Sequence, residues 1–197
     1  MLLRNLGNGQ FVDVAMAVGA DSIMDARAVA VADFDNDGDM DMVVNGNPGM
    51  SESIAPVLYR NNIGARQNWL EVDLTGSTVN RDAAGSEVVI ELADGTEQFR
   101  HVLIGSAYAS QSSLRLHFGL GKHEEIKKLT VNWIGPRGGT DVFFNIPSNR
   151  VISITQGASG EKGSSEMTML PETPATAPVT APTPAPAPAV ETSASGD

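Results

Sequence analysis

Apolar and polar residues alternate along most of residues 66–157, with the two-residue period of a half-buried β-strand. Stretches with this pattern are NWLEVDLTG, SEVVIEL, SLRLHFGL, KLTVNWIG and RVISITQ, and turn sequences such as ADGT, GLGK and GPRGG separate them. A clear helical period of 3.6 residues is absent from the sequence. We therefore predict an all-β protein in which residues 66–157 form an antiparallel β-sandwich or barrel-like domain.

A faint internal repeat lies in the N-terminal third of the chain. LLRNLGNG at residues 2–9 and VLYRNNIG at residues 57–64 align with an offset of 56 residues, so that Arg4 falls on Arg60 and Asn5 on Asn61. The offset between them is typical of one β-propeller blade or a similar four-strand unit. Residues 1–65 are therefore predicted to be the last blade of a propeller. Because a closed propeller needs four or more blades, this one is incomplete within the chain.

The C-terminal segment, residues 158–197, has a different composition. It contains most of the chain's 11 prolines, arranged in Ala-Pro and Thr-Pro steps, and it lacks aromatic residues. Such a segment favours extended geometry and buries too little apolar surface to offset the entropy lost on ordering. We predict a disordered Pro/Ala/Thr-rich tail. A docking motif for a proline-binding module is the functional alternative.

Composition excludes several classes of function. The net charge is −11, with 24 acidic and 13 basic residues, so the chain lacks the basic face that nucleic acid or an anionic membrane would require. The absence of cysteine removes disulfides, thiolate metal sites and thiol nucleophiles. No apolar run approaches the ~20 residues of a membrane span. We predict neither a nucleic-acid partner nor a membrane span.

The densest charge in the chain is DFDNDGDMD at residues 33–41. Its aspartates are Asp33, Asp35, Asp37, Asp39 and Asp41. The carboxylates at positions 1, 3 and 5 project to one side of an extended backbone, and Gly38 at position 6 permits the chain to reverse. The carbonyl of Asp39 and the carboxylate of Asp41 then complete an all-oxygen set. This pattern predicts a Ca²⁺ site, since Zn²⁺ prefers nitrogen or sulfur ligands.

The loop differs from an EF-hand. Position 12 is Val44 instead of a bidentate glutamate, and the flanking sequences are strand-like. The simpler interpretation is a polar turn whose acids face water. The charge density and the match to a ligand template argue against that interpretation. We expect the cation to be structural, because no histidine, arginine or aromatic cluster lies close in sequence.

Two sets of motifs resemble known families. VADFDNDGDMDMVV followed by LYRNN resembles the FG-GAP or VCBS calcium-loop repeat of β-propellers. NRDAAGS and QSSLRLHFGLG resemble the ASPIC/UnbV domain, which follows such repeats in the cartilage acidic protein 1-like family. The resemblance implies a secreted or cell-envelope, calcium-binding, non-enzymatic module with the five aspartates as ligands. It also implies a C-terminal fragment whose export signal lies upstream.

An enzymatic interpretation has little support in the sequence. Ser112, His117 and the distant Asp82 could be assembled into a nucleophile triad, but no G-x-S-x-G elbow frames the serine. More plausible roles are satisfaction of loop backbone groups by the serines and a place for Arg115 and His117 on an exposed or inter-domain face. We expect the chain not to be an enzyme.

Two other features suggest ligand binding. Trp69 and Trp133 alternate with polar residues and could form a carbohydrate platform, although tryptophan in a sandwich is more often buried in packing. In NRDAAGS, Arg81 and Asp82 could face a ligand, with an Asx-type turn around Asn80 as the simpler interpretation. The predicted function is a calcium-stabilised interaction or scaffold module with an unknown protein or glycan partner. A carbohydrate-binding module is the alternative.

Overall fold

The computed structural model describes residues 1–21, 25–47, 55–62 and 67–157, and the backbone of residues 167–169. Strands dominate these ranges, which confirms the predicted all-β class. The helical structure in them is a single 3-10 turn at Met16–Val18. Within the same ranges, no helix has the length and apolar character needed to cross a membrane.

The N-terminal part forms two small antiparallel sheets. The strands are β1 (Leu3–Asn5) paired with β2 (Phe11–Asp13), and a three-stranded sheet of β3 (Asp25–Ala32), β4 (Asp41–Asn47) and β5 (Val57–Tyr59) in that order. The two repeated sequence segments contribute β1 and β5. The aspartate-rich segment connects β3 to β4, whose register pairs Ala32 with Asp41. Assembly of this unit into a propeller stays a prediction.

The remaining strands form two four-stranded sheets. These strands are β6 (Asn68–Thr75), β7 (Glu87–Leu92), β8 (Glu97–His101), β9 (Leu116–Gly121), β10 (Glu125–Asn132), β11 (Thr140–Pro147), β12 (Arg150–Thr155) and β13 (Met167–Met169). The first sheet has the order β11-β10-β7-β8, and the second has the order β13-β12-β6-β9. All neighbours are antiparallel except β12 and β6, which run parallel.

Apolar side chains from both sheets meet in one core, which identifies the domain as sandwich-like. Along β6, Leu70 and Val72 are fully buried, and Phe118 of β9 is buried beside them. From the facing sheet, Ile90 and Leu129 complete the same cluster. Each such side chain contributes about 1.5–3 kcal/mol when fully buried. The alternation read from sequence therefore marks the inner faces of two packed sheets.

The strand β13 lies within the segment for which the sequence predicts disorder. Its backbone pairs with β12, opposite Ile152, Ser153 and Ile154. The other residues of the predicted tail lie outside the described part of the chain.

Candidate metal centre

The aspartate loop turns sharply between β3 and β4. Asn36 and Gly38 both have positive φ angles, of 56° and 91°. Asparagine and glycine are the residues that adopt this conformation most readily, so the local sequence fits the turn. The turn brings the side chains of alternate aspartates to one side of the backbone.

Three carboxylates converge as the sequence predicts. Asp33, Asp35 and Asp37 each place an oxygen within 4.8 Å of the others. Ca²⁺ holds its oxygen ligands at about 2.3–2.6 Å, so ligands of one ion lie within about 5 Å of each other. The spacing of these three carboxylates is therefore compatible with a shared cation.

Hydrogen bonds from the loop backbone orient the first carboxylate. Asp33 Oδ2 accepts from the N–H of Gly38 at 2.8 Å, and Asp33 Oδ1 accepts from the N–H of Asp37 at 3.2 Å. Asp37 Oδ1 accepts from the N–H of Asp39 at 2.9 Å. Hydrogen bonds from backbone N–H groups to the carboxylates of Asp33 and Asp37 therefore stabilise the turn of the loop.

Asp41 anchors the loop to the neighbouring strand. Its Oδ2 accepts from the N–H of Phe34 at 3.1 Å, and its Oδ1 accepts from the N–H of Asn61, just beyond β5, at 2.7 Å. Asp41 is 2% exposed and Asp39 is 3% exposed. Asp41 stands outside the converging trio, and the ligand roles of Asp39 and Asp41 stay predictions.

Arg60 reaches into the cluster, which sequence reasoning did not foresee. Its Nη2 lies 2.5 Å from Asp35 Oδ2 and 3.4 Å from Asp37 Oδ2. The signal in the sequence was the recurrence of Arg4 at position 60, which identified the repeat but not the contact. One guanidinium balances one of the three clustered carboxylate charges.

Asp35 Oδ1 provides the test of whether the site suits a metal ion. This atom is buried and has no hydrogen-bond partner among the described residues. An unsatisfied charged oxygen of this kind is costly, and a hard cation would satisfy it. The donor set contains only oxygen, as Ca²⁺ prefers. The residues therefore fit a calcium ion.

The second sheet of the sandwich covers the loop with its outer face. A Cβ atom added to Gly38 would overlap the indole ring of Trp69. His117 Nε2 lies 2.9 Å from the carbonyl oxygen of Gly38, and Arg115 Nη1 donates to Asn36 Oδ1 at 3.0 Å. The predicted inter-domain position of Arg115 and His117 agrees with these contacts.

A serine-rich segment of the sandwich lies along the edge of β3. Ser110 Oγ donates to the carbonyl oxygen of Val29 at 2.6 Å. Ser112 Oγ accepts from the N–H of Val31 at 3.2 Å, and the N–H of Ser113 donates to the carbonyl oxygen of Val31 at 3.0 Å. The serines therefore satisfy backbone groups of the neighbouring unit.

A buried acid lies under the loop. Glu71 is 1% exposed, and its Oε2 accepts from Arg115 Nη1 at 3.1 Å. Burial, together with the charge of Asp33, raises the pKa of Glu71 to about 7, although Arg115 partly offsets this shift. Burial also raises the pKa of Asp33, against the lowering effect of its backbone hydrogen bonds. Excess negative charge is therefore concentrated at the contact between loop and sandwich.

Comparison with known proteins agrees with this two-part structure. The family model for the FG-GAP-like repeat matches residues 1–44, and the model for ASPIC and UnbV matches residues 76–161. Two family models thus match two successive parts of the chain, which we call the FG-GAP-like repeat and the ASPIC/UnbV domain. The first match contains the aspartate loop, and the second contains most of the sandwich.

Curated relatives are cartilage acidic proteins of vertebrates. Cartilage acidic protein 1 of Homo sapiens is 29% identical over 126 residues, which cover 64% of this chain and 18% of the human protein. The Xenopus tropicalis protein is 31% identical over 104 residues, covering 53% of this chain and 16% of the relative. The chain thus matches less than a fifth of the length of these relatives.

The other candidate residues of the ASPIC/UnbV domain have structural contacts. Trp133 is buried and its Nε1 donates to Asp141 Oδ2 at 2.8 Å. Asn80 accepts from the N–H of Ala84 through its Oδ1 at 2.7 Å and from the N–H of Ala83 through its carbonyl oxygen at 2.9 Å, so Asn80 stabilises a turn in NRDAAGS. Ser112 and His117 contact the backbone of the FG-GAP-like repeat, while Asp82 is exposed.

We predict that Gly38→Ala lowers the free energy of unfolding by about 2–4 kcal/mol, because the new methyl group both strains a positive φ and meets Trp69. Chemical denaturation would measure the loss. Gly95→Ala is the control, since Gly95 has a φ of 82° and open space around its Cβ position. Equal losses in the two variants would contradict the packing of Trp69 on the loop.

We also predict that the metal-free protein becomes more stable as pH falls from about 7 to about 5. Glu71 has a folded pKa of about 7, above its ordinary value of 4.5, so the folded state binds more protons in this window. This difference in pKa corresponds to an increase in the free energy of unfolding on the order of 2–3 kcal/mol between pH 7 and pH 5. Denaturation at several pH values in EDTA would measure it. Glu71→Gln should flatten the profile, and an unchanged profile would refute the assignment.

Proposed function

We propose that the FG-GAP-like repeat binds Ca²⁺ in the loop of residues 33–41, and that the cation is a structural part of an extracellular interaction module. The observation that supports this most directly is the convergence of Asp33, Asp35 and Asp37 around a buried, unpartnered oxygen of Asp35. The family match over residues 1–44 adds support, because it includes this loop.

The chain's own residues define how the site would hold the ion. Asp33, Asp35 and Asp37 supply carboxylates, and we propose the carbonyl of Asp39 and the carboxylate of Asp41 as further ligands. Calcium would supply positive charge that cancels the repulsion among these acids. The backbone hydrogen bonds to Asp33 and Asp41 hold the loop closed around that charge.

The calcium concentration required suggests where the module works. Extracellular calcium modules bind with dissociation constants of about 0.1–1 mM. At ten times the dissociation constant, binding stabilises the folded state by about 1.4 kcal/mol. A site of this kind fills where calcium is millimolar and stays mostly empty in cytosol. Similarity to cartilage acidic proteins is compatible with an extracellular location.

We propose a non-enzymatic role in binding a partner. The serine and histidine that could suggest catalysis both contact the repeat's backbone, through Ser112 to Val31 and His117 to Gly38. A carbohydrate platform built on the tryptophans has less support, because Trp69 lies against Gly38 and Trp133 is buried. A protein partner is therefore the better hypothesis than a glycan.

Calcium is expected to raise the melting temperature of the wild-type chain, and EDTA to lower it. Asp35→Asn should abolish the response, because it removes the charge of the carboxylate whose oxygen lacks a partner. Scanning calorimetry with and without calcium would test this. Asp25→Asn is the matched control, since Asp25 lies in the same sheet and pairs with exposed Arg27. If neither calcium nor EDTA changes the melting temperature of the wild type, the proposal is refuted.

Replacing Arg60 by methionine is expected to tighten calcium binding at least about tenfold. The guanidinium places a positive charge beside two proposed ligands, and its repulsion of a divalent ion weakens binding. The same change should lower the melting temperature in EDTA, because Asp35 and Asp37 lose their counter-charge. Calorimetric titration would measure the affinity, with Arg27→Met as the control. Weaker calcium binding by Arg60→Met would contradict this role.

A further inference from the structure

We propose that the outer face of the second sheet positions the metal loop, so that Trp69 and Arg115 control calcium affinity without supplying a ligand. We call Trp69, Glu71, Asp73, Arg115 and His117 the docking face. The inference rests on the proposed calcium site. It goes further by assigning a role to the ASPIC/UnbV domain, namely to hold a neighbouring calcium repeat in its binding conformation.

The first connection runs through Trp69 and Gly38. The indole ring lies where a side chain at position 38 would project, so the ring and the glycine backbone are in close contact. The N–H of Gly38 donates to Asp33 Oδ2 at 2.8 Å. On the other side of the same residue, the carbonyl oxygen lies 2.9 Å from His117 Nε2. The docking face therefore fixes the residue that orients the first proposed ligand.

The second connection runs through Arg115 and Asn36. Arg115 Nη1 donates to Asn36 Oδ1 at 3.0 Å, and Asn36 lies between the proposed ligands Asp35 and Asp37. Arg115 is itself held in place, since its Nε donates to both oxygens of Asp73 at 3.2 Å. A guanidinium fork held by Asp73 thus restrains the side chain of Asn36 at the middle of the loop.

Restraint of the loop before binding should raise calcium affinity. A free loop must lose backbone entropy when it closes around a cation, and docking on the sandwich removes part of that loss in advance. By thermodynamic linkage, calcium must strengthen docking by the same factor that docking strengthens calcium binding. Calcium would therefore stiffen the junction between repeat and sandwich as well as the loop itself.

Calcium titration calorimetry on the full chain tests the inference. Trp69→Ala and Arg115→Lys should each weaken calcium binding about fivefold or more, the lower range of typical coupling. Neither change alters formal charge, so electrostatics cannot explain the loss. Trp69→Phe, which keeps an aromatic ring, should recover part of the affinity. The controls are Phe99→Ala and Arg81→Lys, which change exposed residues away from the loop.

Terbium luminescence tests separately whether the indole of Trp69 lies close to the bound ion. Tb³⁺ substitutes for Ca²⁺ at oxygen sites, and a nearby indole sensitises its emission. Excitation of tryptophan should give sensitised emission in the wild type and in Trp133→Phe, and none in Trp69→Phe. Emission lost instead in Trp133→Phe would contradict the packing of Trp69 against the metal loop.

The outcomes separate this inference from the proposed function. If the wild type binds neither calcium nor terbium, the proposed calcium site fails. If the wild type binds and Trp69→Ala and Arg115→Lys bind equally well, the calcium site stands and positioning by the docking face is refuted. If Trp69→Ala fails to fold, the calcium affinities of Arg115→Lys and Trp69→Phe decide whether the docking face positions the loop.

Discussion

Repulsion among three carboxylates is the interaction on which the N-terminal unit depends. Asp33, Asp35 and Asp37 hold oxygens within 4.8 Å of one another, in partly buried positions where water screens their charges poorly. Arg60 supplies one positive charge against their three. The trio keeps a surplus of negative charge, and the buried carboxylate of Asp41 adds to it, so a bound cation would lower the repulsion. The geometry of the turn and the hydrogen bonds to Asp33 hold these charges close together despite their repulsion.

The sandwich supports this loop with the outer face of its second sheet. Its inner faces are apolar and form the core, with Leu70 and Val72 fully buried on β6. The alternate residues of the same strand, Trp69 and Glu71, face the loop. A single strand thus uses one face for stability and the other for contact with the repeat, as the two-residue period of a strand allows.

The contact between the units also protects an exposed strand edge. β3 pairs with β4 on one side, and on the other side Ser112 and Ser113 bond to the backbone of Val31. Uncovered edges are sites of unwanted pairing between chains. The serine-rich motif QSSLRLHFGLG therefore has a physical role, with its first residues covering β3 and its later residues forming β9.

The sequence alone determined the class, the two inner faces of the sandwich and the convergence of three aspartates. All of these follow from local periodicity, because alternate residues in an extended chain share a side. Only the tertiary structure decided that Arg60 enters the cluster and that Trp69 and Arg115 cover the loop. Arg60 is 25 residues from Asp35 in sequence, and Arg115 is 79 from Asn36. Contacts at such separations depend on how the sheets pack, which no local pattern of residues encodes.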